Sequence, residues 1–344
     1  MTPTHPPSDG LRLSVVVPIH ESADTLEACI ASLVAAKGPD DQIIIADDGS
    51  TDGGWESLPH TLVEQVSVVT SPINIGRGPV RNLGATTATG EVLVFVDADV
   101  AVHDDALRQL RAAFGSNPDC VAIIGSYDDQ PAQKGVVSQY RNLLHHHTHQ
   151  THGSTATHFW TGLGAVRRQV FIDMGGLDEH TWARNMEDVE FGHRLVDAGH
   201  TIEVRPGVQG THHKRFTIGS MVRTDLFNRA IPWSSLMLHS KLRADPFVAS
   251  SPQTISVAMS FVVVIGVLAW PFSAVGGWAA LAAMTVFLIV NARLWRFFAH
   301  SRGVVFAVAT VPLHLLHSLL AGAGFTVALV QRAARWVTSR RRGA

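Results

Sequence analysis

Carboxylates recur where apolar runs end in this 344-residue chain. Glu21 follows the run Leu11–Pro18, Asp47-Asp48 closes Gln42–Ala46, and Asp97-Ala98-Asp99 closes Val92–Val96. Clustered like charges repel unless something neutralises them, and a divalent cation with a polar ligand would do so. Asp-x-Asp after a strand offers hard oxygen donors suited to Mg2+ or Mn2+, which bind one or two carboxylates together with substrate phosphates. Each cluster alone could be an Asp-rich turn capping the next helix. Taken with Asp48 and Arg81 in one series, the ligand-binding reading prevails. Further on, Glu187-Asp188 precedes Val189, Leu195 and Val196 at helical spacing. A carboxylate there is stabilised as the anion and could accept a proton from a substrate hydroxyl; simple capping is the alternative.

The elements that must position these groups alternate. Strands are predicted at 11–18, 42–46, 66–70, 92–96 and 121–125, each a short β-branched apolar run. Between the first two, Leu26, Ile30, Leu33 and Val34 fall at helical spacing, with Ser22 as a possible cap. Pro79 sits in the first turn of a helix carrying Arg81, Leu83 and Ala85. Strand–helix alternation predicts a doubly wound, mostly parallel α/β sheet, in which ligands bind beyond the carboxyl ends of the strands. The three acidic clusters lie at those ends. No G-x-x-x-x-G-K-[ST] loop is present, and Gly76-Arg77-Gly78 follows Asn74 rather than joining the first strand to its helix. NTPase and dehydrogenase readings are therefore set aside.

Composition divides the chain. It is 46% hydrophobic and 16% charged, and Asp245 is its last acidic residue, so residues 1–245 carry net −10 and residues 246–344 net +8. Cys29 and Cys120 cannot build a disulfide framework, which suits a reducing compartment. Residues 246–292 lack any charged side chain, a length for two crossings of a ~30 Å hydrocarbon core. Residues 303–331 form a second uncharged run with Pro312 as the expected kink, either a third crossing or a re-entrant segment. Helices are predicted near 254–272, 277–294 and 304–330, followed by a basic tail at 332–344. Residues 1–10 are Pro-rich, polar and expected to be disordered, with none of the character of a signal peptide. The soluble part is thus expected in the cytoplasm. The loop bearing Arg293, Arg296 and Arg302 returns to that side, as the positive-inside rule prefers. Residues 221–245 read as an amphipathic linker, with Arg223, Asp225 and Arg229 interleaved among Leu226, Phe227 and Ile231.

The ordered set Val17-Pro18-Ile19-His20-Glu21, Asp47–Asp52, Arg81-Asn82-Leu83-Gly84-Ala85 and Asp97-Ala98-Asp99 resembles the family 2 glycosyltransferases of GT-A fold. So do Gly162–Arg168, Gly175–Glu179 and Glu187–Glu190 followed by Arg194-Leu195 and Gly199. The resemblance covers about residues 11–220. It implies a nucleoside pocket bordered by Pro18 and Glu21, with Asp48 on the base and Arg81 near the nucleotide. It further implies Asp97 on ribose or metal, Asp99 on Mg2+ or Mn2+, and His212 as another metal ligand. Asp188, beside Glu187, would be the catalytic base. Lys214-Arg215-Phe216 stands roughly where processive members carry Gln-x-x-Arg-Trp. Lys214 and Arg215 would then serve the donor, while the missing Gln and Trp argue for a single transfer over polymer extrusion.

Six histidines fall within 145–158: His145, His146, His147, His149, His152 and His158. His145 and His149 share a helix face at i, i+4, without the Glu of a zinc protease. With Trp160 they are expected to line an acceptor pocket; a polar helix end is the alternative. The chain is accordingly read as a multi-pass inner-membrane, inverting glycosyltransferase. It would move a sugar from a nucleotide-diphosphate donor, UDP-sugar preferred, to a lipid or lipid-linked acceptor at the cytoplasmic leaflet, with no nucleic-acid partner. The alternatives are a polyprenyl-phosphate glycosyltransferase and a non-catalytic sugar-nucleotide-binding membrane protein.

Overall fold

The computed structural model describes residues 10–151, 153–182, 185–239 and 251–342. The N-terminal residues expected to be disordered, His152 and the end of the expected linker at 240–245 lie outside these. Two compact units emerge, Met1–Gln133 with Thr148–Lys214, and Lys134–His147 with Arg215–Ala344. The division expected at residue 220 thus falls after Lys214, and residues 134–147 join the helical unit.

The first unit runs β1 (Leu13–Ile19), α1 (Ala23–Ala36), β2 (Gln42–Asp48), α2 (His60–Val63), β3 (Ser67–Ser71), α3 (Arg77–Thr86), β4 (Val92–Val96), β5 (Val100–Val102), α4 (Ala106–Ser116) and β6 (Ala122–Tyr127). Helix α5 (Val136–Thr151) straddles the division, and β7 (Thr155–Ala156), β8 (Leu163–Arg167), α6 (Arg168–Asp173), α7 (Glu187–Asp197) and β9 (Ile202–His212) follow. The strand order is β3-β2-β1-β4-β8-β6-β9-β5, with β7 beside β9. β1, β2, β3 and β4 pair in parallel, while β8 runs antiparallel between β4 and β6. The result is a mixed sheet whose β1–β4 half is parallel. All five strands expected from the apolar runs are present; β5, β7, β8 and β9 complete the sheet.

Period-2 alternation makes the central strands two-faced. Val15, Val17, Ile43, Ile45, Val92 and Val94 pack with Leu26, Ile30 and Leu33 of α1. Val16 and Ala46 point the other way, and a Cβ on Gly84 of α3 would stand 2.5 Å from Val16 Cγ1. Helices thus cover both faces, which is why these strands read as continuous apolar runs. Ser22 occupies the N-cap of α1 but its side chain makes no capping bond. Asp52 Oδ2 takes that place, accepting from Ala23 N at 2.8 Å.

The second unit contains α8 (Ile218–Arg223), a π-helical stretch Thr224–Ala230, α9 (Ile231–His239), α10 (Ser251–Ala269), α11 (Ala274–Val290), α12 (Ala292–Arg302) and α13 (Val304–Arg342). Pro252–Ala269 and Val304–Arg335 are long and apolar enough to cross a membrane. Ile265, Leu268, Val305 and Val308 on them are exposed, an outward apolar face that suits lipid. The helix expected over 277–294 ends at Val290, and α12 leaves it at 66°. Asn291 marks the break, its Nδ2 donating to Phe287 O at 2.8 Å and so satisfying a carbonyl at the end of α11. Helix α13 has Pro312 inside it and extends into the expected basic tail. Within residues 221–239, read as an amphipathic linker, Arg223, Phe227 and Arg229 are exposed. Asp225 is buried, 3.0 Å from Arg141 and 2.9 Å from His317 of α13, because its charge is matched within the helical unit.

Candidate active site

Helix α3 organises the first unit's cleft. Asp48, at the end of β2, is buried and spends both oxygens on the entry to this helix, accepting from Ile75 N and from Gly76 N at 3.0 Å. Gly76 stands at φ 105°, a backbone conformation that favours glycine. A carboxylate has about four acceptor sites, so Asp48 keeps capacity for a ligand. Four residues into the helix, Arg81 is 3% exposed. Its Nη1 donates to Glu187 Oε1 and its Nη2 to Asp97 Oδ1, each at 2.7 Å. One guanidinium therefore ties β4's exit to the start of α7, two segments far apart in sequence. The adjacent Asn82 reinforces this, donating to Leu177 O and Glu179 Oε1 and accepting from Leu177 N at 2.8–2.9 Å. Arg194 of α7 holds the same loop through Gly176 O at 2.7 Å. The Gly-Gly-Leu-Asp motif is thus a strut between α3 and α7.

Asp99 Oδ2 lies 3.6 Å from His212 Nε2 and 3.7 Å from Lys214 Nζ. Burial would raise the Asp99 carboxyl, but His212, Lys214 and Arg77 outweigh it and hold it well below the usual carboxylate range. His212, the last residue of β9, stacks on Tyr127 with centroids 4.1 Å apart and planes at 10°. Among the described residues no three potential ligands gather around one point. One carboxylate oxygen and one imidazole nitrogen nonetheless suit a divalent ion that takes its remaining ligands from substrate phosphate and water. The residues present fit such an ion at Asp99 and His212.

Glu187 and Asp188 open α7 but do different things. Glu187 is buried in its ion pair with Arg81. Burial, then the charge of Asp188, pushes its carboxyl up to about 7, with Arg81 limiting the rise. Asp188 is half-buried; its Oδ1 accepts from Val189 N at 2.8 Å and its Oδ2 from Thr161 Oγ1 at 3.2 Å. Met186, just before them, is the N-cap of α7 at φ 76°, and within the helix consecutive side chains diverge by about 100°. Of the pair, Asp188 is the less buried.

Pro18 pairs with Ala46 in the β1–β2 register. Glu21, at φ 51°, accepts from Thr51 N at 2.8 Å, so the loops after β1 and β2 are joined. His149 and Trp160 meet edge to face at 5.0 Å, and Trp160 meets Tyr127 at 4.9 Å. His149 Nδ1 lies 2.8 Å from Gly125 O; a carbonyl only accepts, so that nitrogen carries the proton. His145 and the exposed Arg215 belong to the second unit. Sequence reasoning missed three residues. Arg77, exposed at the start of α3, acts on both Asp99 and Glu187. Thr161 anchors Asp188, and Tyr127 backs His212. Arg77 stood in view as part of Gly-Arg-Gly; the other two are local to no motif.

The mixed sheet order, with Asp97-Ala98-Asp99 beyond β4 and a carboxylate at the start of α7, is that of the GT-A fold. The structure of the mannosyltransferase PcManGT from Pyrobaculum calidifontis, in complex with GDP-Man and Mn2+, has the same fold. It aligns with a TM-score of 0.57 at 17% identity, over 94% of this chain and 90% of that one. Residues 14–175 match the family model Glycosyl transferase family 2. An uncharacterized glycosyltransferase of Nostoc sp. is 33% identical over 34% of this chain and 37% of its own length. The glycosyltransferase AglE of Haloferax volcanii is 23% identical over 59% of this chain and 67% of its own. The chain thus spans only about a third of the first of these relatives.

Proposed function

We propose that this protein is a membrane-anchored, inverting glycosyltransferase. It moves a sugar from a nucleoside-diphosphate donor to a hydroxyl of a lipid or lipid-linked acceptor at the cytoplasmic leaflet of the inner (plasma) membrane. One observation carries the reading: Arg81 holds Asp97 and Glu187 at 2.7 Å each, which brings the cleft's donor side and the candidate base Asp188 into one rigid frame. Asp188 takes the acceptor proton, with Thr161 Oγ1 and Val189 N fixing its orientation. The freed oxygen attacks the anomeric carbon and the nucleoside diphosphate departs. A single base and no placed nucleophile give direct displacement with inversion. Asp99 and His212 would hold Mg2+ or Mn2+, which when bound supplies charge stabilisation to the leaving diphosphate. Lys214 and Arg77 place further positive charge beside Asp99. Pro18, Glu21 and Asp48 would border the nucleoside, with UDP-sugars as the first donors to test, and Trp160 with His149 would face the acceptor. In this reading α10 leaves the starting side and α11 returns to it, and the side bearing the arginines of α12 is taken as cytoplasmic.

The test is donor turnover by the purified full chain with UDP-, GDP- and TDP-sugars and Mn2+. Asp188→Asn should lower kcat at least ~10²-fold, the usual scale of a lost acid–base group, and Asp99→Asn should lower it strongly through loss of the ion's charge stabilisation. Wild-type turnover by both variants would overturn the assignment. A phosphate acceptor is already an anion and needs no base. Loss in Asp99→Asn with retention in Asp188→Asn would therefore identify a lipid phosphate as acceptor. Binding of donor without release of diphosphate would mark a non-catalytic sensor.

A further inference from the structure

We propose that α12 is an interfacial helix whose basic face binds the headgroups of anionic phospholipids. The proposal rests on the reading that the apolar helices of the second unit sit in a bilayer. Helix α12 departs from α11 at 66°, and the bend is built in. Asn291 caps the last turn of α11 and also donates to Ser256 Oγ at 2.8 Å. Trp295 Nε1 reaches back across the break to Leu288 O at 3.1 Å. Beyond the bend the helix is two-sided. Leu294 and Phe298 are buried in a cluster with Tyr140, Leu143 and Leu313. Arg293, Arg296 and His300 are exposed, and at ~100° per residue they fall within about 60° of arc on the opposite side.

Among the described residues Arg293 and Arg296 make no ion pair, and no acidic residue follows Asp245 in the sequence. Arg302 differs, since its Nε donates to Gln139 Oε1 at 2.7 Å and serves the unit's own packing. A helix lying across the end of an apolar hairpin, with a buried apolar face and a basic outer face, suits phosphate oxygens at headgroup depth. Cations there favour anionic over zwitterionic lipid, in a salt-dependent way.

Reconstitution of the full chain with dibrominated phosphatidylglycerol or dibrominated phosphatidylcholine in unlabelled phosphatidylcholine reads this directly, through quenching of tryptophan fluorescence. Trp270 and Trp278, at the other end of the α10–α11 hairpin, are 65% and 71% exposed and report contact with either lipid. Trp295 reports α12. Wild type should prefer phosphatidylglycerol about threefold at low salt. That preference should fade at 0.5 M NaCl and be lost in Arg293→Gln/Arg296→Gln, with the thermal transition unchanged because neither side chain is buried. Equal quenching by both lipids in wild type, or a double variant that keeps the wild-type preference, overturns the proposal while leaving the bilayer reading intact. Absence of quenching by either lipid overturns both.

Discussion

At the scale of single residues, the pairing of Glu187 with Arg81 divides labour between two adjacent carboxylates that look alike in the sequence. Glu187 is sequestered and its carboxyl is pushed up to about 7. Between the ordinary carboxylate range and that pH, the folded protein retains a proton that the unfolded chain has released. Stability therefore declines as pH rises through the window and levels off above it. The effect is on the order of 2–3 kcal/mol. Glu187→Gln should flatten the slope of the thermal transition between pH 5 and pH 7.5, and a slope parallel to wild type would contradict the assignment. Arg81→Ala leaves Glu187 buried without its partner and should cost about 3–5 kcal/mol, read in the same thermal measurement. Asp48 and Asp52 carry a related lesson. Both belong to one acidic motif, yet Asp48 braces the entry to α3 while Asp52 caps α1. Their residue types were legible, whereas their partners lie across loops and were not.

At the scale of elements, the site depends on how closely two helices approach the sheet and its loops. Gly192 of α7 stands where a Cβ would be 2.1 Å from Phe159 N and 2.5 Å from His158 C, both backbone atoms that cannot swing aside. Gly192→Ala must displace α7, at about 1–3 kcal/mol of overpacking. Because that helix carries Asp188, kcat should fall by up to ~100-fold, the scale of a 1 Å misplacement, in a donor-turnover assay. Unchanged kcat with lowered stability would show that α7 is not a positioning element. The first-half strands were readable since each is a buried β-branched run. Strand β9 was not, as its eleven residues contain Pro206, Gly207 and Gly210 and alternate with polar groups. The bend at Asn291 also escaped periodicity, for apolar spacing continues through Leu294 and Phe298 while the helix axis turns.

At the scale of the whole molecule, two units obey different rules. The first buries a sheet between helices, and the second exposes apolar side chains while burying one charged cluster. Asp225, Arg141 and His317 form that cluster. Asp225→Ala leaves Arg141 buried and unpaired, and should lower stability by about 3–5 kcal/mol. Thermal unfolding of the full chain in detergent measures this, and a shift of the size expected for a surface residue would mean that the pair is not buried. The sequence by itself determined the alternating architecture, the carboxylates at the strand ends and the apolar C-terminal helices. Those properties are local, being written in side-chain period, turn composition and uncharged length. Only the tertiary structure decided that Glu187 serves Arg81 while Asp188 is the less buried, that residues 134–147 join the helical unit, and that Asp225 is internal. Each is set by which distant groups meet, and a linear pattern carries no record of contacts between segments a hundred residues apart.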